Sequence, residues 1–199
     1  MVIFGRREGS MSKVTVGIIA EDDSDVECVK HFVRRIHSTR KIGFKKYVGN
    51  GCGKISRKAN AWANMLKMQG CGAIILLHDL DRNNLTDLYD KIHKSFSPSP
   101  VKKFLISIPV EELEAWLLAD EAAFNSVFNI SRTNYLPQHP ESIKSPKEFI
   151  RDTVRKETNR KVDYINTKHN SKLAERIDIN MINTKCTSFQ SFKSFVDAI

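Results

Sequence analysis

Glu21 and the pair Asp79 and Asp81 each follow a short, continuously apolar run. Residues 14–20 (VTVGIIA) lead into Glu21-Asp22-Asp23, and residues 73–77 (AIILL) lead into His78-Asp79-Leu80-Asp81. Such runs read as buried parallel strands that release polar groups at their carboxyl ends. Carboxylates brought to one rim by two separate strands are hard oxygen ligands. They suit Mg²⁺, or Mn²⁺, which takes one or two carboxylates and fills its remaining positions with water and substrate phosphate. In an extended Asp-Leu-Asp the two acids point to one side while Leu80 turns to the other and buries. Asp25, four residues after Glu21, falls in the first turn of the next helix and leans toward the same crevice. Like charges gathered this closely destabilise a fold unless a cation neutralises them. Asp22 and Asp23 read instead as helix-start acids favoured by the dipole, with Asp23 or Ser24 as the cap.

A third contribution to the rim comes from Glu111-Glu112-Leu113-Glu114. Pro109 fixes the start of a helix predicted over about 111–124, on which Glu111 and Glu114 share a face. Trp116, Leu117 and Leu118 on the same helix read as core. Between the two acidic motifs, residues 28–78 contain no Asp or Glu, yet eleven are Lys or Arg: Lys30, Arg34, Arg35, Arg40, Lys41, Lys45, Lys46, Lys54, Arg57, Lys58 and Lys67. A basic segment beside acids is suited to holding phosphates next to a metal. The turn Gly49-Asn50-Gly51-Cys52-Gly53 brings backbone N–H groups within reach of a phosphate, and Lys54 is the cation expected at the transition state. This is not a Walker A sequence, because the four-residue spacing is absent and Ile55 follows the lysine. A second basic group, Arg151, Arg155, Lys156, Arg160 and Lys161, reads as a solvated helix face.

The elements that must position these residues alternate. Strands at 14–20, 42–48, 73–77 and 104–108 are interleaved with helices after residue 23, over 56–68 (closed by Gly70), over 85–96 and over 111–124. This order predicts an α/β fold, Rossmann-like, with a mostly parallel sheet of about four strands and helices on both faces. Function is expected beyond the carboxyl ends of the strands. Residues 13–128 form the catalytic unit in this reading. Residues 129–199 form a helical extension packed on it, anchored by Leu173, Phe189, Phe192 and Phe195.

The chain has 199 residues, 41% of them hydrophobic, and a formal net charge of +9. That composition supports one sizeable core and an anionic partner, nucleic acid above all. No apolar run approaches the roughly 18 residues of a membrane span. The first ten residues lack the apolar core of a secretory signal, and Met11 is an alternative start. Cys28, Cys52, Cys71 and Cys186 form no CxxC pair and lack histidines at zinc spacing, so they read as reduced thiols of a cytoplasmic protein. Of the six histidines, only His78 adjoins an acidic motif.

Taken together, Glu21 after one strand and Asp79-Leu80-Asp81 after a later one resemble the Toprim catalytic domain of topoisomerases, bacterial primases and OLD-family nucleases. Asp25 stands where nuclease members often carry a further acid, and Asp22 stands where they often carry a glycine. The passages His78–Arg82, Ile108–Asp120 and Leu173–Asp178 are similar to an uncharacterised family grouped with the Toprim-like proteins. The resemblance implies Mg²⁺-dependent phosphodiester cleavage, with DNA favoured over RNA. Glu21, Asp25, Asp79 and Asp81, with Glu111 or Glu114, would be the metal ligands, and Glu21 an alternative general base. It also implies an ATPase partner in anti-phage defence, and it is compatible with an oligomer. Two other readings stay open. One is a catalytically degenerate, nucleic-acid-binding subunit. The other is a receiver-like signalling domain, although no Lys-Pro pair follows the fourth strand.

Overall fold

The computed structural model describes residues 14–49, 53–133 and 135–199. The expected tail and alternative start at Met11, and Asn50, Gly51 and Cys52 of the glycine-rich turn, lie outside the described residues. The strands are β1 (Thr15–Ala20), β2 (Gly43–Val48), β3 (Ala73–Leu77) and β4 (Lys103–Ser107). Helices α1 (Asp23–Ile36), α2 (Ile55–Met68) and α3 (Leu85–Phe96) connect them. All pairings are parallel and the spatial order is β2-β1-β3-β4. The two most apolar strands therefore occupy the centre, as a sheet covered on both faces requires. After β2 the chain crosses back over β1 to place β3 on its other side. The carboxyl ends of β1 and β3 thus flank the topological switch point, where open α/β sheets form their crevice.

Each face of the sheet has its own core. Val16, Ile18 and Ala20 face α1, which packs Val26, Val29, Phe32 and Val33 against them. Ile19, Ile74 and Leu76 face α2 and α3, which contribute Ile55, Leu66, Leu88, Ile92 and Phe96. At Gly17 the sheet and α2 approach so closely that a Cβ would lie 2.9 Å from a Leu66 methyl carbon. Helix α2 stops at Gly70, whose φ of +85° suits the residue that ends it.

The helix expected over 111–124 is two helices, α4 (Glu114–Leu117) and α5 (Glu121–Phe128). Asp120 makes the break: one of its oxygens accepts from the Ala122 and Ala123 N–H groups, and the other accepts from the Asp178 N–H. The remaining chain forms α6 (Pro146–Glu157), α7 (Asn166–Arg176), α8 (Ile179–Lys185) and α9 (Thr187–Asp197). These helices join the core on the α1 face. Phe189 and Phe192 stand edge-on to Phe32, with ring centroids 5.6 and 6.2 Å away, and Trp116 packs 5.0 Å from Phe189. Leu173, Phe189 and Phe192 are fully buried, as are Trp116, Leu117 and Leu118, while Phe195 is partly buried. Among the described residues no helix is long and apolar enough to cross a membrane.

Candidate metal centre

Helix α1 begins with a capping box. Asp22 accepts from the Ser24 and Asp25 N–H groups at 2.7 and 3.0 Å, and Asp25 returns an oxygen to the Asp22 N–H. Asp22 is therefore the cap, in place of Asp23 or Ser24. Asp23 pairs with Lys46 at the surface. The box turns the Asp25 carboxyl inward, where burial, reinforced by the charges of Asp22 and Glu114, pushes its pKa up to about 8. Glu21, at the end of β1, is also raised, first by burial and then by Asp81 and Asp22. Its Oε1 is buried and makes no hydrogen bond, although His78 Nε2 stands 3.3 Å away. His78 Nδ1 lies 2.7 Å from the Asp79 carbonyl oxygen, which can only accept, so Nδ1 carries a hydrogen and Nε2 turns to Glu21.

Asp79 and Asp81 do not form the extended pair expected of them. Asp79 is half-buried, and its Oδ1 accepts from the Leu113 N–H at 2.9 Å. Burial, then Asp25 and Glu114, raise its carboxyl well above the usual range. Leu80 turns away onto the α2/α3 core, as expected. The chain then bends sharply: Asp81 and Arg82 have φ of 48° and 61°, and Asp81 is exposed. Glu111, with φ of 60°, meets this bend. Its carbonyl accepts from the Asp81 N–H at 3.0 Å and its carboxylate from the Arg82 N–H at 3.1 Å. Three non-glycine residues in left-handed backbone store strain in this one corner. Glu111 precedes α4 and does not share a helical face with Glu114. The expected face is lost because Glu111 itself stands in left-handed backbone, with φ of 60°, outside any right-handed helix.

Glu114 is only 2% exposed. Its Oε1 accepts from the Tyr164 hydroxyl at 3.1 Å and from Asn170 Nδ2 at 3.0 Å, with Lys147 Nζ 3.8 Å away. The fully buried Asn170 also donates to Ser24 Oγ, and its Oδ1 shares the single Tyr164 hydroxyl hydrogen with Glu114. Helix α7 thereby ties α1 to α4 beneath the acids.

The cation inside the rim is Lys147, which the sequence reading missed. Burial lowers its pKa, but Glu114, Glu112 and Asp79 outweigh that and raise it overall. Its backbone N–H donates to Glu112, whose carboxyl is itself raised by burial. Pro146-Lys147, opening a helix that carries Glu148 and Ile150, was the one local signal for it. Lys54, the expected cation, is exposed at the start of α2 and pairs with no rim acid among the described residues. The basic stretch is likewise divided. Lys30 pairs with Glu27, Arg34 lies over Phe44, and Arg35 and Arg40 bond carbonyls of Glu175 and Ile199. Lys54, Arg57 and Lys58 open α2 on the carboxyl side of the sheet. In the second basic group, Arg155 pairs with Asp163 and Lys156 lies over Tyr135.

The donor set suits a hard cation. The donors are carboxylate oxygens, Glu21 Oε1 has no hydrogen-bond partner, and three carboxyls are raised by burial and by neighbouring acids. Among the described residues no three His, Cys, Asp or Glu side chains stand ready to enclose a metal. Magnesium needs no such cage, since it binds through one or two carboxylates and completes its octahedron with water and phosphate. The buried Cys28, Cys71 and Cys186 are free thiols.

Searches of curated proteins and of solved structures found no match. A family model described as "Domain of unknown function (DUF4276)" matches residues 20–197, from the last residue of β1 to the end of α9. The match thus takes in the strand-end acids together with Lys147, Tyr164 and Asn170, and the chain belongs to this DUF4276 family.

Proposed function

We propose that the protein is a Mg²⁺-dependent nuclease, in which one or two divalent ions would each draw one or two carboxylates from Glu21, Asp25, Asp79 and Asp81, with Glu111 at the outer rim. The observation that carries this reading is the group of carboxyls at the β1/β3 switch point, held buried and mutually repelling with Lys147 as the cation among them. A fold retains such repulsion only where something offsets it. When bound, the divalent ion supplies polarisation of a phosphoryl oxygen and a lowered pKa for an attacking water.

The chain's own residues do the rest. Asp81 and Glu111 stand at the solvent edge, where substrate arrives. Lys147 offers positive charge to the scissile phosphate, while Lys54, Arg57 and Lys58 line the approach and hold flanking phosphates. Glu114, fixed by Tyr164 and Asn170, is a positioning residue for Lys147. DNA is the favoured substrate, and an ATPase partner in a bacterial defence system is the proposed setting.

The test is cleavage of plasmid and labelled oligonucleotides with Mg²⁺ or Mn²⁺, repeated in EDTA. Cleavage that persists unchanged when Asp79→Ala and Asp81→Ala are combined removes these acids from the chemistry. One observation favours a second reading, a binding subunit that does not cut: Asp79 already commits an oxygen to the Leu113 N–H. Salt-sensitive DNA binding in EDTA, without cleavage in any metal, would select it. A receiver role gains no support, because β4 leads into Pro109-Val110-Glu111-Glu112 and no Lys-Pro pair follows it.

A further inference from the structure

The sheet has two edges, and they are treated differently. On β2 the middle of the edge strand carries Lys45 and Lys46, both exposed. Charges placed there deter another strand from pairing. On β4 the corresponding stretch is Phe104-Leu105-Ile106, without a charge. The ladder decides which of its groups are free. His78 donates its N–H to the Ser107 carbonyl, so Ser107 and Leu105 turn their backbone groups toward β3. The alternate residues Phe104 and Ile106 turn theirs outward, where no group among the described residues bonds them.

That outer edge is recessed. It forms the floor of a groove of about 560 Å³ between α3 and α9. Leu85 and Tyr89 stand on the α3 wall, 51% and 42% exposed, and Ser188 and Ser191 on the α9 wall. A strand of this length runs roughly 17 Å, enough for one short extended segment. The recess selects the occupant. A second copy would present a β4 sunk between its own α3 and α9, so two such edges cannot meet, whereas a single extended chain can enter. At the amino end of the groove Lys102 and Lys103 are exposed.

We propose that the outer edge of β4 takes one extended, apolar segment of a partner polypeptide as an added strand, with an acidic residue of that segment beside Lys102. The backbone of Phe104 and Ile106 supplies the hydrogen bonds, and the apolar walls receive alternate side chains. None of the groove's lining residues belongs to the acid rim, so occupancy and cleavage are separable.

The test uses the full chain and two fluorescein-labelled hexapeptides of alternating Val and Thr, one with Glu at its amino end and one with Glu at its carboxyl end. One of them should raise fluorescence anisotropy on titration and slow amide exchange at Phe104 and Ile106. N-methylation of its ladder-facing amides, or the groove-filling change Ser191→Trp, should weaken binding at least tenfold. Lys102→Glu should weaken it several-fold. Tyr89→Glu, on the opposite wall, gives an independent variant should Ser191→Trp fail to fold. The proposal is overturned if neither peptide binds, or if N-methylation or both wall variants leave binding unchanged. It is also overturned if the Phe104 and Ile106 amides already exchange slowly in the protein alone, since a second copy or the chain itself would then hold the edge.

Discussion

The acid rim is assembled from two unlike halves. The sheet half supplies charge that repels itself: Glu21, Asp25 and Asp79 are all raised by burial first, and then by neighbouring acids. These are Asp81 and Asp22 for Glu21, Asp22 and Glu114 for Asp25, and Asp25 and Glu114 for Asp79. The helical half supplies the partners, with Lys147 from α6 and Asn170 from α7, and with Tyr164 just before α7. One half is poised to bind and the other is satisfied. A site that must accept a cation keeps ligands short of partners, while Glu114, Tyr164 and Asn170 behind it bond one another.

The sharpest way to break that contrast is pH. The Asp25 carboxyl ionises near 3.8 when free and about 8 in the fold, so the folded chain holds a proton that the unfolded chain has lost. Its contribution is fully present below about pH 4 and disappears as pH rises through 8. In EDTA the protein should therefore lose stability between those limits, on the order of 5 kcal/mol at most from this group. Mg²⁺ at pH 8.5 should restore much of it. Urea unfolding at pH 5 and pH 8.5, with and without Mg²⁺, measures this. Asp25→Asn should flatten the slope. A steep slope in that variant would place the repulsion elsewhere.

Next in size is the satisfied half. Asn170→Leu keeps the volume but removes bonds to Ser24, Glu114 and Tyr164, leaving each of these three buried groups short of a partner. A loss of about 3 kcal/mol is expected in thermal or urea unfolding. A loss under about 1 kcal/mol would mean that water replaces the amide.

These two halves were not equally legible. The strands could be read because apolar runs state their own burial, and the acids because they follow those runs directly. Even the strand order agrees with alternation of strand and helix. Glu114's partners were hidden by distance: Tyr164 and Asn170 lie 50 and 56 positions away, and nothing local marks an Asn in a polar helix as buried. The single helix over 111–124 failed for a similar reason. Its apolar residues satisfy helical spacing, but Glu111 is turned into left-handed backbone against Asp81 and Asp120 is claimed by Asp178, through contacts that periodicity does not carry. Lys54 drew attention through its glycine-rich neighbours, while Lys147 sits in ordinary helical sequence.

Those two lysines give the third comparison. Lys147→Ala should lower cleavage about ten- to a hundredfold, or roughly 1.4–2.7 kcal/mol at the transition state, because it removes the rim's own cation. Lys54→Ala should cost less than about threefold, with a gentler dependence of binding on salt as its signature. Equal losses in kcat would return Lys54 to the chemistry. Both are read from single-turnover cleavage at saturating Mg²⁺.

The smallest effects separate acids that stand side by side. Asp22→Ala removes the cap of α1 and should cost about 1 kcal/mol. Asp23→Ala breaks only a surface pair with Lys46 and should cost less than about 0.5 kcal/mol. Asp22→Asn is the informative change. An asparagine oxygen still accepts from the Ser24 and Asp25 N–H groups, yet the charge that raises Asp25 and Glu21 is gone. Its stability in EDTA should equal or exceed that of the native protein at pH 8.5 and match it at pH 4. If Asp22→Asn instead loses as much as Asp22→Ala at both pH values, the carboxylate's charge is what holds the helix start, and the strain in the rim lies wholly with Asp25, Asp79 and Glu114.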